Sequence, residues 1–85
     1  METFKTRVVF KIVAGEVVAV LLDVPANKGK VMCYAHVGQH GEGMPSYFRR
    51  LRNAKPEEYK GLLSELDSMG YECEVIRSMA KSGVK

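Results

Sequence analysis

No stretch of this chain approaches the roughly 20 apolar residues that a membrane-spanning helix needs, so no membrane partner is expected. The opening residues, Met1 to Arg7, hold no apolar run followed by a small-residue cleavage site. That argues against an export signal and for a cytoplasmic protein. Cysteine is scarce: Cys33 and Cys73 are the only two, and in a reducing compartment they are expected as buried free thiols rather than a disulfide. The excess of one sign of charge is small too. A net charge of +3 leaves no strong electrostatic footprint for nucleic acid. There is no helix-turn-helix, zinc-finger or RNP-type signature, and Gly38, Gly41 and Gly43 match neither GxGxxG nor a Walker loop, so no nucleotide cofactor is implied.

What is present suits a single small domain. Eighty-five residues with 46% hydrophobic composition leave room for one core, expected over residues 5–78, with the tail from Lys81 to Lys85 frayed. A chain of this size buries only a little over half of its unfolded surface, about 60% for 60 residues, so its stability is expected to be modest.

Arg7 to Val13 alternates with period two, placing Val8, Phe10 and Ile12 opposite Arg7, Val9, Lys11 and Val13. Gly15 then supplies the positive φ of a tight reversal, and Val17 to Leu22 is aliphatic throughout, which predicts a hairpin. A breaker-rich loop from Val24 to Lys30 leads into a third strand, Val31 to Val37. Gly38 to Met44 reads as an irregular loop, mobile or ligand-facing, and Ser46 to Arg52, a helical turn or a short strand, is too short to assign.

Pro56 to Met69 reads as a helix, with Pro56 first, Glu57 and Glu58 in the first turn and Gly70 just past the end. Tyr59, Leu62, Leu63, Leu66 and Met69 form its apolar stripe. Lys55 stands at the N-cap without an oxygen acceptor, so Asn53 or water must satisfy the first amides. Tyr71 to Arg77 alternates again and predicts a fourth strand, beside strand one or strand three. The expected fold is α+β: β-β-β-α-β, a mainly antiparallel four-stranded sheet with one helix, 56–69, on one face.

One helix covers one face only, yet the second and third strands are apolar on both sides. With Val18, Val20 and Leu22 toward the helix, Val17, Ala19 and Leu21 would line the other face, joined by Val31, Cys33, Ala35 and Val37 if the register of the third strand agrees. Such a patch predicts a homodimer packed through the uncovered sheet face, unless the 46–52 segment covers it.

Residues 34–41, Tyr-Ala-His-Val-Gly-Gln-His-Gly, hold both histidines. Cys33, His36, His40 and Cys73 are all zinc-ligand types, but Cys33 and His36 sit at odd spacing on an extended strand and point to opposite faces. An enzyme would use His36 or His40 as a base, oriented by Asp23 or Glu42. No nucleophile stands beside them: Ser46 lacks a nucleophile elbow and nothing around Cys33 lowers a thiol pKa. No catalytic residue, metal ligand or cofactor is therefore assigned. Arg49, Arg50, Arg52 and Lys55 with Tyr47 and Phe48 form the densest basic patch, suited to phosphates and stacked bases or simply to a solvated face that buries Phe48 and Leu51.

The segment YAHVGQHG, the opening TRVVFKIVAGEVVAV and the later AKPEEYKGLLSELDSMGYE resemble a family of short bacterial proteins often carried on mobile elements. The similarity spans roughly residues 5–77, and no activity, cofactor or catalytic residue comes with it. Lys55 stands where that family's pattern leads us to expect threonine before Pro56-Glu57-Glu58. The reading that follows is a non-enzymatic binding module, homodimeric, that presents the 34–52 segment to a macromolecular partner. Its candidate contact residues are Tyr34, His36, Gln39, His40, Tyr47, Arg49, Arg50 and Arg52. Weak nucleic-acid binding through residues 47–55 and a hydrolase-like or metal-assisted site at His36 and His40 are the alternatives.

Overall fold

The computed structural model describes residues 5–35 and 39–77. Strands β1 (Thr6–Val13) and β2 (Glu16–Leu21) form the expected hairpin, paired from Val8 opposite Leu21 to Val13 opposite Glu16. The two-residue turn puts Ala14 (φ 52) and Gly15 (φ 83) both in the left-handed region, a turn whose twist matches that of the strands it joins. Glycine adopts this freely. For alanine it costs about 1–2 kcal/mol.

Strand β3 (Val31–Ala35) pairs antiparallel with β2, and β4 (Gln39–Gly43) pairs antiparallel with β3. After helices α1 (Pro45–Arg49) and α2 (Pro56–Ser68), β5 (Cys73–Val75) returns parallel to β1. The fold is α+β, but the sheet has five strands rather than four, in the order β4-β3-β2-β1-β5, and is antiparallel except where β5 lies parallel to β1. Among the described residues no helix is long and apolar enough to cross a membrane.

The extra strand is where an irregular glycine loop was expected. Glycine in a strand weakens it but permits close approach, and here the approach is real: a Cβ on Gly43 would lie 2.6 Å from Cε2 of Phe48. The glycine thus admits an aromatic ring onto the sheet. The unassigned 46–52 segment becomes the single turn of α1 and a return path along β1. There Ile12 donates its amide to the Arg52 carbonyl (3.0 Å) and Ala54 donates to Phe10 (2.8 Å), so residues 52–54 occupy one half of the β1 edge and β5 the other.

Side-chain parity divides the core in two. Val8, Phe10, Ala19, Leu21 and Tyr34 pack against Leu62 and Leu66 of α2, with Phe10 and Tyr59 stacked at 4.4 Å between ring centroids. Val9, Val20 and Val31 pack on the opposite side against Phe48, with Leu51, Cys33 and Ile76 around them. The expected β2 faces are therefore exchanged: Val17, Ala19 and Leu21 meet the helix, while Val18, Val20 and Leu22 do not. Alternation dictates which residues share a face. It does not say which face a distant helix will choose. The sheet face expected to lie bare is covered by Phe48, which is 4% exposed, and by Leu51.

Helix α2 is closed at both ends by its own neighbours. Glu58 accepts the Lys55 amide at 2.7 Å and donates its own amide to the Lys55 carbonyl at 2.8 Å, while Asn53, expected near the cap, instead donates its side chain to the Arg77 carbonyl. At the other end Gly70 (φ 104) lets Tyr71 donate to Leu66 and Gly70 to Asp67, a Schellman closure. Met69 ends the predicted stripe and is exposed.

Two substitutions test these points by urea unfolding. Gly43→Ala should destabilise by about 1–3 kcal/mol through overpacking against Phe48, and unchanged stability would contradict the close approach. Ala14→Asn should stabilise by about 1 kcal/mol, because asparagine tolerates the left-handed turn conformation better than alanine.

Candidate functional site

The sequence-predicted contact residues fall into three separate places. On the α2 side of the sheet, Tyr34 is buried and its hydroxyl donates to the Glu65 carboxylate. The β3–β4 register sets His40 directly opposite Tyr34, with ring centroids 4.7 Å apart, and His40 Nε2 lies 3.2 Å from the Tyr71 hydroxyl. His40 therefore sits exposed at the rim of a polar aromatic cluster with Tyr34, Glu65 and Tyr71. Glu65 and Tyr71 went unnoticed as site residues in the sequence: Glu65 lies outside the apolar stripe of α2, and Tyr71 was accounted for by the alternation of the fourth strand. His36 lies outside the described residues, as does the side chain of Gln39.

The carboxylates proposed to orient a histidine base are engaged elsewhere. Arg7 grips Asp23 through its backbone amide (2.8 Å), Nε (3.1 Å) and Nη2 (2.7 Å), and the side-chain hydrogen bonds hold the Asp23 carboxyl below its ordinary range. Glu42 accepts from the Asn27 side chain (2.8 Å) and backbone amide (3.1 Å). The partner that does reach His40 is a phenol.

On the opposite side, α1 and the turn after it present the second group. Phe48 and Leu51 are three residues apart, so they turn to one side of a helical turn and face the sheet. Tyr47, Arg49 and Arg50 are consequently turned outward. Tyr47 is 49% exposed and Met44, just before the helix, 52%. The edge of one ring meets the other in Tyr47 and Phe48, at 5.3 Å, so the buried phenylalanine steadies the exposed tyrosine. Arg49 and Arg50 make no ion pair with the described residues.

Beneath this segment lies Lys11, 6% exposed, whose Nζ donates to the Leu51 carbonyl at 3.1 Å. Burial pushes its pKa down. Its position among Val9 and Val13 on an apolar strand face was the available signal that it is covered.

Arg52 stands apart from its neighbours at the edge of the sheet. Its two terminal nitrogens reach the two carboxylate oxygens of Glu58 at 3.0 Å each, a fork-on-fork pairing. Those bonds first, and the Lys55 amide second, hold the Glu58 carboxyl down to about 2. The dense basic run of the sequence is thus dispersed: Arg49 and Arg50 face solvent, Arg52 is neutralised, and Lys55 sits at a helix start.

The cysteines do not meet. Cys33 belongs to the α1 side and Cys73 to the α2 side, three strand spacings or about 14 Å apart across the sheet, well beyond disulfide reach. Burial raises both thiol pKa values. Among the described residues no three His, Cys, Asp or Glu side chains converge as a metal cluster. A cleft of about 310 Å³ opens at the start of α2, floored by Phe10 and Tyr59 and edged by Lys55 and Arg77; His40 is not part of it. No protein-family model, curated protein or solved structure matches the chain.

The Arg52–Glu58 pair predicts a pH signature. Because the folded pKa of Glu58 is depressed below its ordinary 4.5, the stabilisation is present above about pH 4.5 and is lost as pH falls toward about 2. Glu58→Gln should lower the melting temperature at pH 7 and flatten its decline between pH 4.5 and 2, measured by thermal denaturation followed by circular dichroism.

Proposed function

We propose that this protein is a small non-enzymatic binding module, cytoplasmic, that uses the outer side of the 44–52 segment to hold an acidic macromolecular partner. The observation that carries this is the pairing of two half-exposed apolar side chains, Met44 and Tyr47, with two arginines that have no ion-pair partner among the described residues. Methionine, tyrosine and arginine are the residues enriched where proteins bind one another, and rigid aromatic anchors and arginines carry most of the binding energy. Phe48 beneath Tyr47 keeps the segment fixed on the sheet, so little ordering is required on contact.

Chemistry recommends an acidic partner over an apolar one. Arg49 and Arg50 would each pair with a carboxylate or phosphate in two-pronged fashion, while Tyr47 and Met44 contribute area between them. The enzymatic reading has less behind it, since the carboxylates it needs are held by Arg7 and Asn27.

Fluorescence anisotropy with a labelled acidic peptide tests the proposal. Wild-type protein should bind it, with affinity falling between about 50 and 200 mM salt, and Tyr47→Ala or the double change Arg49→Ala/Arg50→Ala should weaken binding about tenfold or more. A single-stranded oligonucleotide run alongside separates the alternatives: tight binding of it alone, lost in the same variants, would transfer the surface to nucleic acid. Variants that bind as wild type would sink both.

A further inference from the structure

We propose that two copies of this chain associate edge to edge through β4, pairing antiparallel about Gly41 to join their sheets. Strand β4 closes the sheet order, and no strand of the described residues lies beyond it. Half of its backbone donors and acceptors therefore face outward, a template for another strand. The opposite side of the sheet is different, because residues 52–54 and β5 divide the β1 edge between them.

The choice of a second copy as occupant comes from the register. His40 and Glu42 stand opposite Tyr34 and Met32, both of which belong to the α2-side core, so His40 and Glu42 project from one face of the edge strand. A two-fold axis through Gly41 sets His40 of each copy directly across from Glu42 of the other, twice over, with Gly41 facing Gly41 between them. An imidazole N–H directly opposite a carboxylate can donate to it, whereas directly opposed like charges destabilise an antiparallel pair. An axis through Glu42 would set the two carboxylates against each other, and an axis through His40 would oppose the two imidazoles. Centring on Gly41 is the self-complementary choice.

Neither side chain must be freed for this contact. Glu42 is exposed, and its carboxylate is held by Asn27 but has room for further donors. His40 is exposed and uses Nε2 toward Tyr71, which leaves Nδ1. The groups facing the imidazole are Tyr34 and Tyr71, with Glu65 behind Tyr34 on α2. On the other face Gly41 and Gly43 present no side chain, and α1 reaches inward over Val31, Val20 and Val9 through Phe48. The contact thus moves from the sheet face, which Phe48 and Leu51 cover, to the sheet edge. A five-residue edge buries little area, so the dimer is weak, with Kd on the order of 100 µM.

Sedimentation velocity from about 10 µM to about 1 mM, a range that brackets this Kd, tests the proposal, with circular dichroism to verify that each variant folds. Wild type should show concentration-dependent dimerisation. Glu42→Lys removes the acceptor across from His40, and His40→Glu opposes two carboxylates, so each should lower the association constant about tenfold or more. Mixing these two variants sets the introduced glutamate of one copy across from the introduced lysine of the other, and leaves the native Glu42 of the first across from the native His40 of the second. The mixture should restore a dimer that neither variant forms alone. A monomer at the top of that concentration range, or a dimer that both single variants retain, would overturn the proposal. Because neither change touches Tyr47, Arg49 or Arg50, its failure leaves the proposed binding surface on α1 standing.

Discussion

Strands β1 and β2 are apolar on both faces, and a single helix can shield only one of them. Val8, Phe10, Ala19 and Leu21 find Leu62 and Leu66 of α2, while Val9 and Val20 need a second cover. The chain supplies it from a single helical turn whose one fully buried side chain is Phe48. That ring reaches the sheet only because residue 43 has no Cβ. The pairing of Phe48 with Gly43 is thus a steric condition on the whole second layer. It sets where α1 lies, and α1 in turn delivers residues 52–54 to the β1 edge and buries Lys11 beneath the Leu51 carbonyl.

The same constraint creates the surface assigned to binding. A helical turn with its i and i+3 residues on the sheet leaves the residues between and after them facing solvent, which here means Tyr47, Arg49 and Arg50. Anchor and display are adjacent residues of one turn, so the display inherits the rigidity of the core. Arg52, just beyond, is diverted by Glu58 into closing the start of α2. One basic run therefore serves two purposes: half of it holds a helix to the sheet, and the other half stays available.

Much of the architecture was legible in the chain because its signals are local. Period-two alternation placed β1, an unbroken aliphatic run after Gly15 placed β2, the breaker-rich loop before Val31 marked the start of β3, and Pro56 with Gly70 bracketed α2 to within a residue. β4 was not legible. Gln-His-Gly-Glu-Gly has neither β-branched residues nor an apolar face, and its pairing is decided by β3 beside it and by Phe48 above Gly43. The candidate site was legible only in part for the same reason. Tyr34 and His40 do share a face, but Glu65 and Tyr71 join them from elements 31 residues away in the chain.

The sequence by itself determined which residues of each strand share a face, where the long helix begins and ends, and that both sides of the central hairpin had to be covered. These follow from backbone periodicity and capping, which act within a few residues. Only the tertiary structure decided which face met α2, that β5 lies parallel to β1, and, among the described residues, that the glycine segment ends the sheet and which arginines have no ion-pair partner. Those choices depend on long-range packing and on the competition of Glu58, Asp23 and Glu42 for partners far away in the chain. Local pattern cannot encode that competition, because each partner's affinity is set by where the fold has already placed the others.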